Sequence, residues 1–293
     1  MMSTWSSLIE EIVHVAAAVG QSNARGPKRG SPYASEVDEI RAHATIPDGA
    51  LQQVAQDSLG YLSAAGRHCL AISKLLAAHE VFVSLLPLLR AQLETYGRIA
   101  WFLEPFDAEG GPVRPSRRVA RHHMDALASL CRRRFSASKR RASADSIREL
   151  KRARNDLRNR MLELFPGAQL TWSNPGDELD WRCDGDGFQG LGDGAAIFDR
   201  VVRARAQGHY DSLSDFSHPS LVTIRALMVR RETDDYVTFD WRIDPGEVAI
   251  QAWNCGAMHA QATKLIAEWF GLPLIDEIDE LLDRFAAATG IDQ

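Results

Sequence analysis

Hydrophobic residues recur at helical spacing along most of the chain, and strict alternation is rare. Residues 4–19 carry one amphipathic period, with Ser3 or Thr4 in the position of a cap. Residues 21–34 hold Gly26-Pro27, Gly30 and Pro32 and read as a loop. From Pro47-Asp48 a long helical pattern begins, and Leu51, Val54, Leu59, Leu62, Leu70, Ile72, Leu75 and Leu76 sustain it to about Ala78. A second helix is expected from about His79 to Leu103, with a kink or restart at Pro87 and an end at Glu104-Pro105. Two more follow, over residues 114–135 and 143–165, each with a single apolar stripe and arginine on its outer face.

The period is lost over residues 166–193, which contain Trp172, Trp181, Pro175, six glycines and several aspartates. Helical spacing returns at Ala195 and again over residues 209–229, with a kink or restart at His218-Pro219. Residues 236–243, YVTFDWRI, alternate and form the one good strand candidate. Asp244-Pro245-Gly246 starts a helix that runs to about Phe270, and a last helix covers residues 273–288. The pattern predicts an all-α multi-helix bundle with a long irregular insertion and one short β-hairpin or strand. It divides as an N-terminal helix and loop, 1–46, and a helical domain, 47–293, with the insertion at 166–193.

One stretch departs from a plain apolar stripe. In PLLRAQLETYGRIAWFLEP, residues 87–105, a turn of about 100° per residue puts Arg90, Glu94, Arg98 and Trp101 on one face. Leucines, Ile99 and Phe102 surround that face, so these charges need partners. Either they form a structural ion-pair network, or they make one wall of a polar cleft. The second wall would come from HYDSLSDFSHPSLVTIR, residues 209–225, where Tyr210, Ser214, Ser217 and His218 share a side. In such a cleft His218 would be general base or acid, Arg90 and Arg98, balanced by Glu94, would hold a phosphate or carboxylate, and Tyr210 or Ser214 would position it. The chain carries no GxSxG, Walker loop, HExxH or post-strand GxGxxG motif.

Composition narrows the classes. Of 293 residues 45% are apolar and 25% charged, as in ordinary globular domains. The longest apolar run, residues 81–89, is too short to span a membrane, and residues 5–19 carry Glu10, Glu11 and His14 where a signal peptide would be apolar. Cys69, Cys131, Cys183 and Cys255 lie more than fifty residues apart with no CxxC or Cys/His spacing, which predicts free thiols in a reducing cytoplasm and no zinc site; no other metal and no cofactor is expected either. The net charge of −5 hides an asymmetry: residues 114–160 hold 16 Arg or Lys against 4 Asp or Glu, about +12, which leaves about −17 elsewhere. Such a segment attracts a polyanion or the acidic part of a second copy.

Two resemblances build on these motifs. The 87–105 stretch with the arginines of 117–121 after it, then GAAIFDRVV and YDSLSDFSHPS, is similar in order and spacing to an uncharacterised group of all-helical actinobacterial proteins. That resemblance covers about residues 50–270 and implies an all-α fold around a shared polar centre. More remotely, the helical pattern resembles the HEPN superfamily of helical bundles, many of them metal-independent ribonucleases in toxin or phage-defence systems. It implies an Arg and a His four to six residues apart on one helix, a spacing met by Arg117 with His122, Arg118 with His123 and Arg203 with His209. The expectation is a protein that binds RNA or another phosphate-bearing ligand over the surface of residues 114–160, with Arg117, Arg118, Arg121, His122 and His123 as ligand-binding residues, and that could act as a metal-independent ribonuclease in stress or phage defence. The alternative is a non-catalytic homo-oligomeric interaction or regulatory protein whose basic face docks on the acidic part of a second copy; the apolar face of the last helix, Ile275, Ile278, Leu281, Leu282 and Phe285, would either add to that contact or pack on its own domain.

Overall fold

In the computed structural model the described residues are 1–23, 28–43, 45–79, 85–107, 110–171, 181–189, 196–198, 200, 213, 228–232, 237–241 and 244–291. They are predominantly helical, with two small antiparallel sheets. The elements in chain order are α1 (Met2–Asn23), α2 (Pro32–Arg41), α3 (Ala50–Ala77), α4 (Leu85–Leu103), α5 (Pro115–Lys139) and α6 (Ala144–Leu164). Strands β1 (Gln169–Leu170), β2 (Trp181–Cys183), β3 (Asp186–Gly187), β4 (Met228–Glu232) and β5 (Val237–Trp241) follow, then α7 (Pro245–Phe270) and α8 (Ile275–Thr289).

Most of the expected helices are present, and the differences have local causes. The N-terminal loop is shorter than the glycines imply, because Ser31 accepts a bond from Ala34 N (3.2 Å) and Pro32 stands at the first helical position, which starts α2. Pro87 falls in the first turn of α4, where its missing N–H has no intrahelical acceptor to lose. The alternating segment forms β5, and its partner is β4, paired from Met228↔Trp241 to Glu232↔Val237. Met228 and Val229 therefore belong to a strand, not to the end of a helix, since β5 alone would leave its backbone groups unpaired.

The chain divides into two compact units, each discontinuous in sequence: Met1–Lys28, Leu59–Ala100 and Leu191–Gln293 form one, Arg29–Ser58 and Trp101–Gly190 the other. In the first, α1, α7 and α8 enclose a core of Trp5, Ile12, Cys255, Ile266 and Phe285. Gly256 on α7 admits the Phe285 ring: a Cβ there would lie 2.1 Å from Phe285 Cε1 and 3.2 Å from Ile12. Trp5 Nε1 donates to the Ala288 carbonyl (2.8 Å), which joins the start of α1 to the end of α8. The apolar face of α8 is consequently buried in its own unit at Ile278, Leu281, Leu282 and Phe285. Packing within its own unit, one of the two uses expected for this face, is what these four residues show.

In the second unit, part of the supposedly irregular insertion is a three-stranded sheet in the order β1-β2-β3. Asp184 (φ 50) and Gly185 (φ 84) form the two-residue turn between β2 and β3, both in the left-handed region that an Asp-Gly pair adopts readily. Trp181 is fully buried, and its Nε1 donates to the Thr171 carbonyl (2.6 Å). This hairpin sets Asp186 at the sheet edge, from which it reaches α5.

Candidate nucleic-acid interface

The basic segment folds as an antiparallel helical hairpin, α5 and α6, and its two ends meet opposite environments. At the base, Arg117, Arg118 and Arg121 lie within the second unit. Arg118, 3% exposed, donates to Glu36 Oε2 (3.0 Å) and to the carbonyls of Phe102 (2.8 Å) and Glu104 (3.1 Å). Arg121, 2% exposed, donates to Asp186 Oδ2 (2.7 Å) and the Trp101 carbonyl (2.6 Å) and pairs with Glu104 Oε1 (2.8 Å). The two guanidinium groups thus satisfy carbonyls at the end of α4 that have no intrahelical donor. Burial pushes the Arg118 guanidinium below its ordinary value, and the Glu36 carboxylate opposes that shift. Arg117 pairs with Asp107 Oδ2 (2.9 Å) and approaches Asp186 Oδ1 (3.9 Å).

The two histidines beside them also meet internal partners, each through one ring nitrogen, and the buried His122 Nδ1 has none among the described residues. His122 Nε2 lies 2.6 Å from Asp57 Oδ2, and the ring packs edge-on to Phe102. His123 Nδ1 meets the Val119 carbonyl (2.9 Å), and burial pulls its pKa down to about 4, so the ring is neutral near pH 7. The five residues expected to bind a phosphate are therefore brought together, but as a largely buried set held by internal carboxylates and carbonyls. The cause is plain: Glu36, Asp57 and Asp186, from distant parts of the chain, and Glu104 and Asp107, from the segment just before α5, pair with the three arginines and His122, while His123 is held by a backbone carbonyl.

The tip is different. No residue from Ser129 to Arg160 is buried. That stretch contains twelve Arg or Lys and three Asp or Glu. Arg141 (φ 53) occupies the left-handed region in the turn, and Ser143 caps α6 by accepting from Ser146 N (3.2 Å). Beyond the last buried residue of α5, Ala128, eleven helical residues extend about 16 Å at ~1.5 Å per residue. Arg148 pairs with Asp145, and Lys139 Nζ lies 4.4 Å from the centre of the Phe135 ring. Arg133, Arg140, Arg141, Lys151, Arg152 and Arg160 are exposed and have no carboxylate partner among the described residues. Like charges crowd here: burial first, then Arg134 and Arg158, lower the pKa of Arg154.

On α4, in the first unit, Arg90 Nε pairs with Glu94 Oε1 (2.9 Å), a contact within one helix, and Arg98 is buried. Tyr210, Ser214 and His218, the other wall of the expected cleft, lie outside the described residues. No protein-family model, curated protein or solved structure matches this chain. Among the described residues no helix is long and apolar enough to cross a membrane.

The sequence marked the basic segment as a whole and singled out Arg117, Arg118, Arg121, His122 and His123, which lie at its largely buried base. The exposed cations at the tip were counted in its charge, yet no residue-level signal distinguished them from Arg117 to Arg121.

Proposed function

We propose that this protein binds RNA, or another polymer bearing phosphates, through the tip of the α5–α6 hairpin. One observation carries the reading: a helical hairpin that buries nothing from Ser129 to Arg160 presents several arginines and lysines with no carboxylate beside them. Guanidinium groups match phosphate oxygens in pairs, and a polyanion gains by releasing counterions onto such a surface. An anionic membrane fits less well. Among the large apolar side chains of the hairpin only Phe135 is substantially exposed, and surface helices that enter a bilayer need a wider apolar face. A cytoplasmic location belongs to the same reading.

The reading is of binding. A ribonuclease version would rest on His218, since His122 and His123 are held inside the unit. The test is fluorescence anisotropy with single- and double-stranded RNA at low and moderate salt, followed by gel analysis of the RNA. Expected are salt-sensitive retention, its loss in Arg133→Glu/Arg140→Glu/Arg152→Glu, and no cleavage that depends on His122 or His123. No retention at low salt would overturn the proposal. Salt-dependent self-association in light scattering, with no RNA bound, would favour docking of the hairpin on an acidic face of a second copy.

A further inference from the structure

The first unit contains a cavity independent of the basic hairpin. It lies between α1 and α3 and encloses about 400 Å³. Val13 and Ala16 of α1, with Leu62 and Leu70 of α3, form its mostly apolar walls. Small residues, Ala17 and Gly20 on one side and Ser63 and Gly66 on the other, keep the helices from closing over it.

One polar side chain reaches it from below. His259 of α7 lines the cavity and is 1% exposed. Its Nδ1 lies 2.9 Å from the Tyr96 hydroxyl, which is itself 3.6 Å from Cys69 Sγ. Gln92 Nε2 donates to that sulfur (2.7 Å), and the Phe198 ring stacks on Tyr96. The imidazole is thereby fixed through one nitrogen by a buried chain of hydrogen bonds. The other nitrogen, Nε2, is buried and has no partner among the described residues. It lies under Gly66, where a Cβ would come within 3.4 Å of both Cε1 and Nε2. A buried imidazole nitrogen without a partner is unfavourable, and apolar walls cannot relieve it. At the rim the single charged lining residue is Arg67, exposed and with no partner among the described residues.

We propose that this cavity binds a small hydroxyaryl carboxylate: the aromatic body between α1 and α3, the hydroxyl on His259 Nε2, and the carboxylate on Arg67. A hydroxyl donates or accepts, so it completes His259 in either tautomer. The positive rim selects an anionic head, and the apolar walls reject a sugar or an inorganic ion. The volume is at the small end of the ~300–1,000 Å³ usual for ligand sites, which suits a single ring with a short side chain.

The probe is 3-(4-hydroxyphenyl)propionate, titrated into the full chain while the His259 Cε1–Hε1 NMR signal is followed, that signal being assigned by its absence in His259→Gln. A saturable shift is expected. Affinity should fall about tenfold or more with Arg67→Gln, with the methyl ester, and with 3-phenylpropionate, each of which removes one polar contact. Ala17→Trp, on the open wall, should abolish the shift while the circular dichroism of the helices and RNA retention stay unchanged. The proposal is overturned if the probe produces no saturable shift at millimolar concentration, or if the shift survives Ala17→Trp.

Discussion

The base and the tip of the α5–α6 hairpin are made of the same residue types and behave as different materials. At the base, Arg118 and Arg121 are buried and each makes several bonds to oxygen. At the tip, Arg140, Arg141 and Arg152 are exposed and meet no carboxylate among the described residues. Arginine content alone therefore does not indicate where a polyanion would bind. The supply of internal acceptors does, because a guanidinium already saturated by carboxylates and helix-end carbonyls has no donor left for a phosphate.

The largest effect is expected at Arg121. Arg121→Met removes the shared partner of Glu104 and Asp186 and should destabilise the protein by about 3–5 kcal/mol, since carboxylates are left behind in a buried site. Denaturant midpoints measure this, and adding Glu104→Gln and Asp186→Asn should recover part of the loss. A cost no larger than that of a tip arginine would erase the distinction.

Next comes acid sensitivity of the base. The folded pKa of His123 is depressed to about 4 from the usual 6.5, chiefly by burial. Above the unfolded value both states are neutral and the stabilisation is complete. As pH falls from 6.5 toward 4 the unfolded chain takes up the proton first, and up to about 3 kcal/mol is lost. Unfolding curves across this window should show the decline in the parent, and His123→Gln should flatten it.

A smaller effect is expected at the tip. Each of Arg133→Ala, Arg140→Ala and Arg152→Ala should change stability by no more than about 0.5 kcal/mol. Each should also reduce the slope of log affinity for RNA against log salt by about 0.7–0.9 where a phosphate contact is lost. An unchanged slope in all three would remove the tip from the interface. A comparably small loss, about 0.3–0.5 kcal/mol in denaturant midpoints and with no change in RNA retention, is expected for Arg90→Ala on α4, where a partly exposed pair lies within one helix.

Much of the helical layout was legible because its causes are local. The Asp244-Pro245-Gly246 start of α7, the restart near Pro87 and the end of α4 before Pro105 follow from capping and from proline's missing donor. The Asp184-Gly185 turn lies in the stretch expected to be irregular and was not singled out, nor was its consequence, the placing of Asp186 against Arg121. The ladder of Arg90, Glu94 and Arg98 was correctly located on one face of a helix. Its proposed opposite wall falls outside the described residues. The last helix was read correctly as amphipathic, but spacing cannot reveal whether an apolar face meets its own chain or another.

Local residue order carried the helix starts and ends, the apolar faces, and the concentration of positive charge in residues 114–160. Those properties arise from neighbours within a few positions along the backbone. Only the tertiary structure decided which arginines are neutralised and that Cys69, Tyr96, Cys255 and His259 share one buried cluster. Those outcomes depend on partners separated by up to 186 positions, and on burial, which strengthens every charge and hydrogen bond it encloses without leaving a mark in the local pattern.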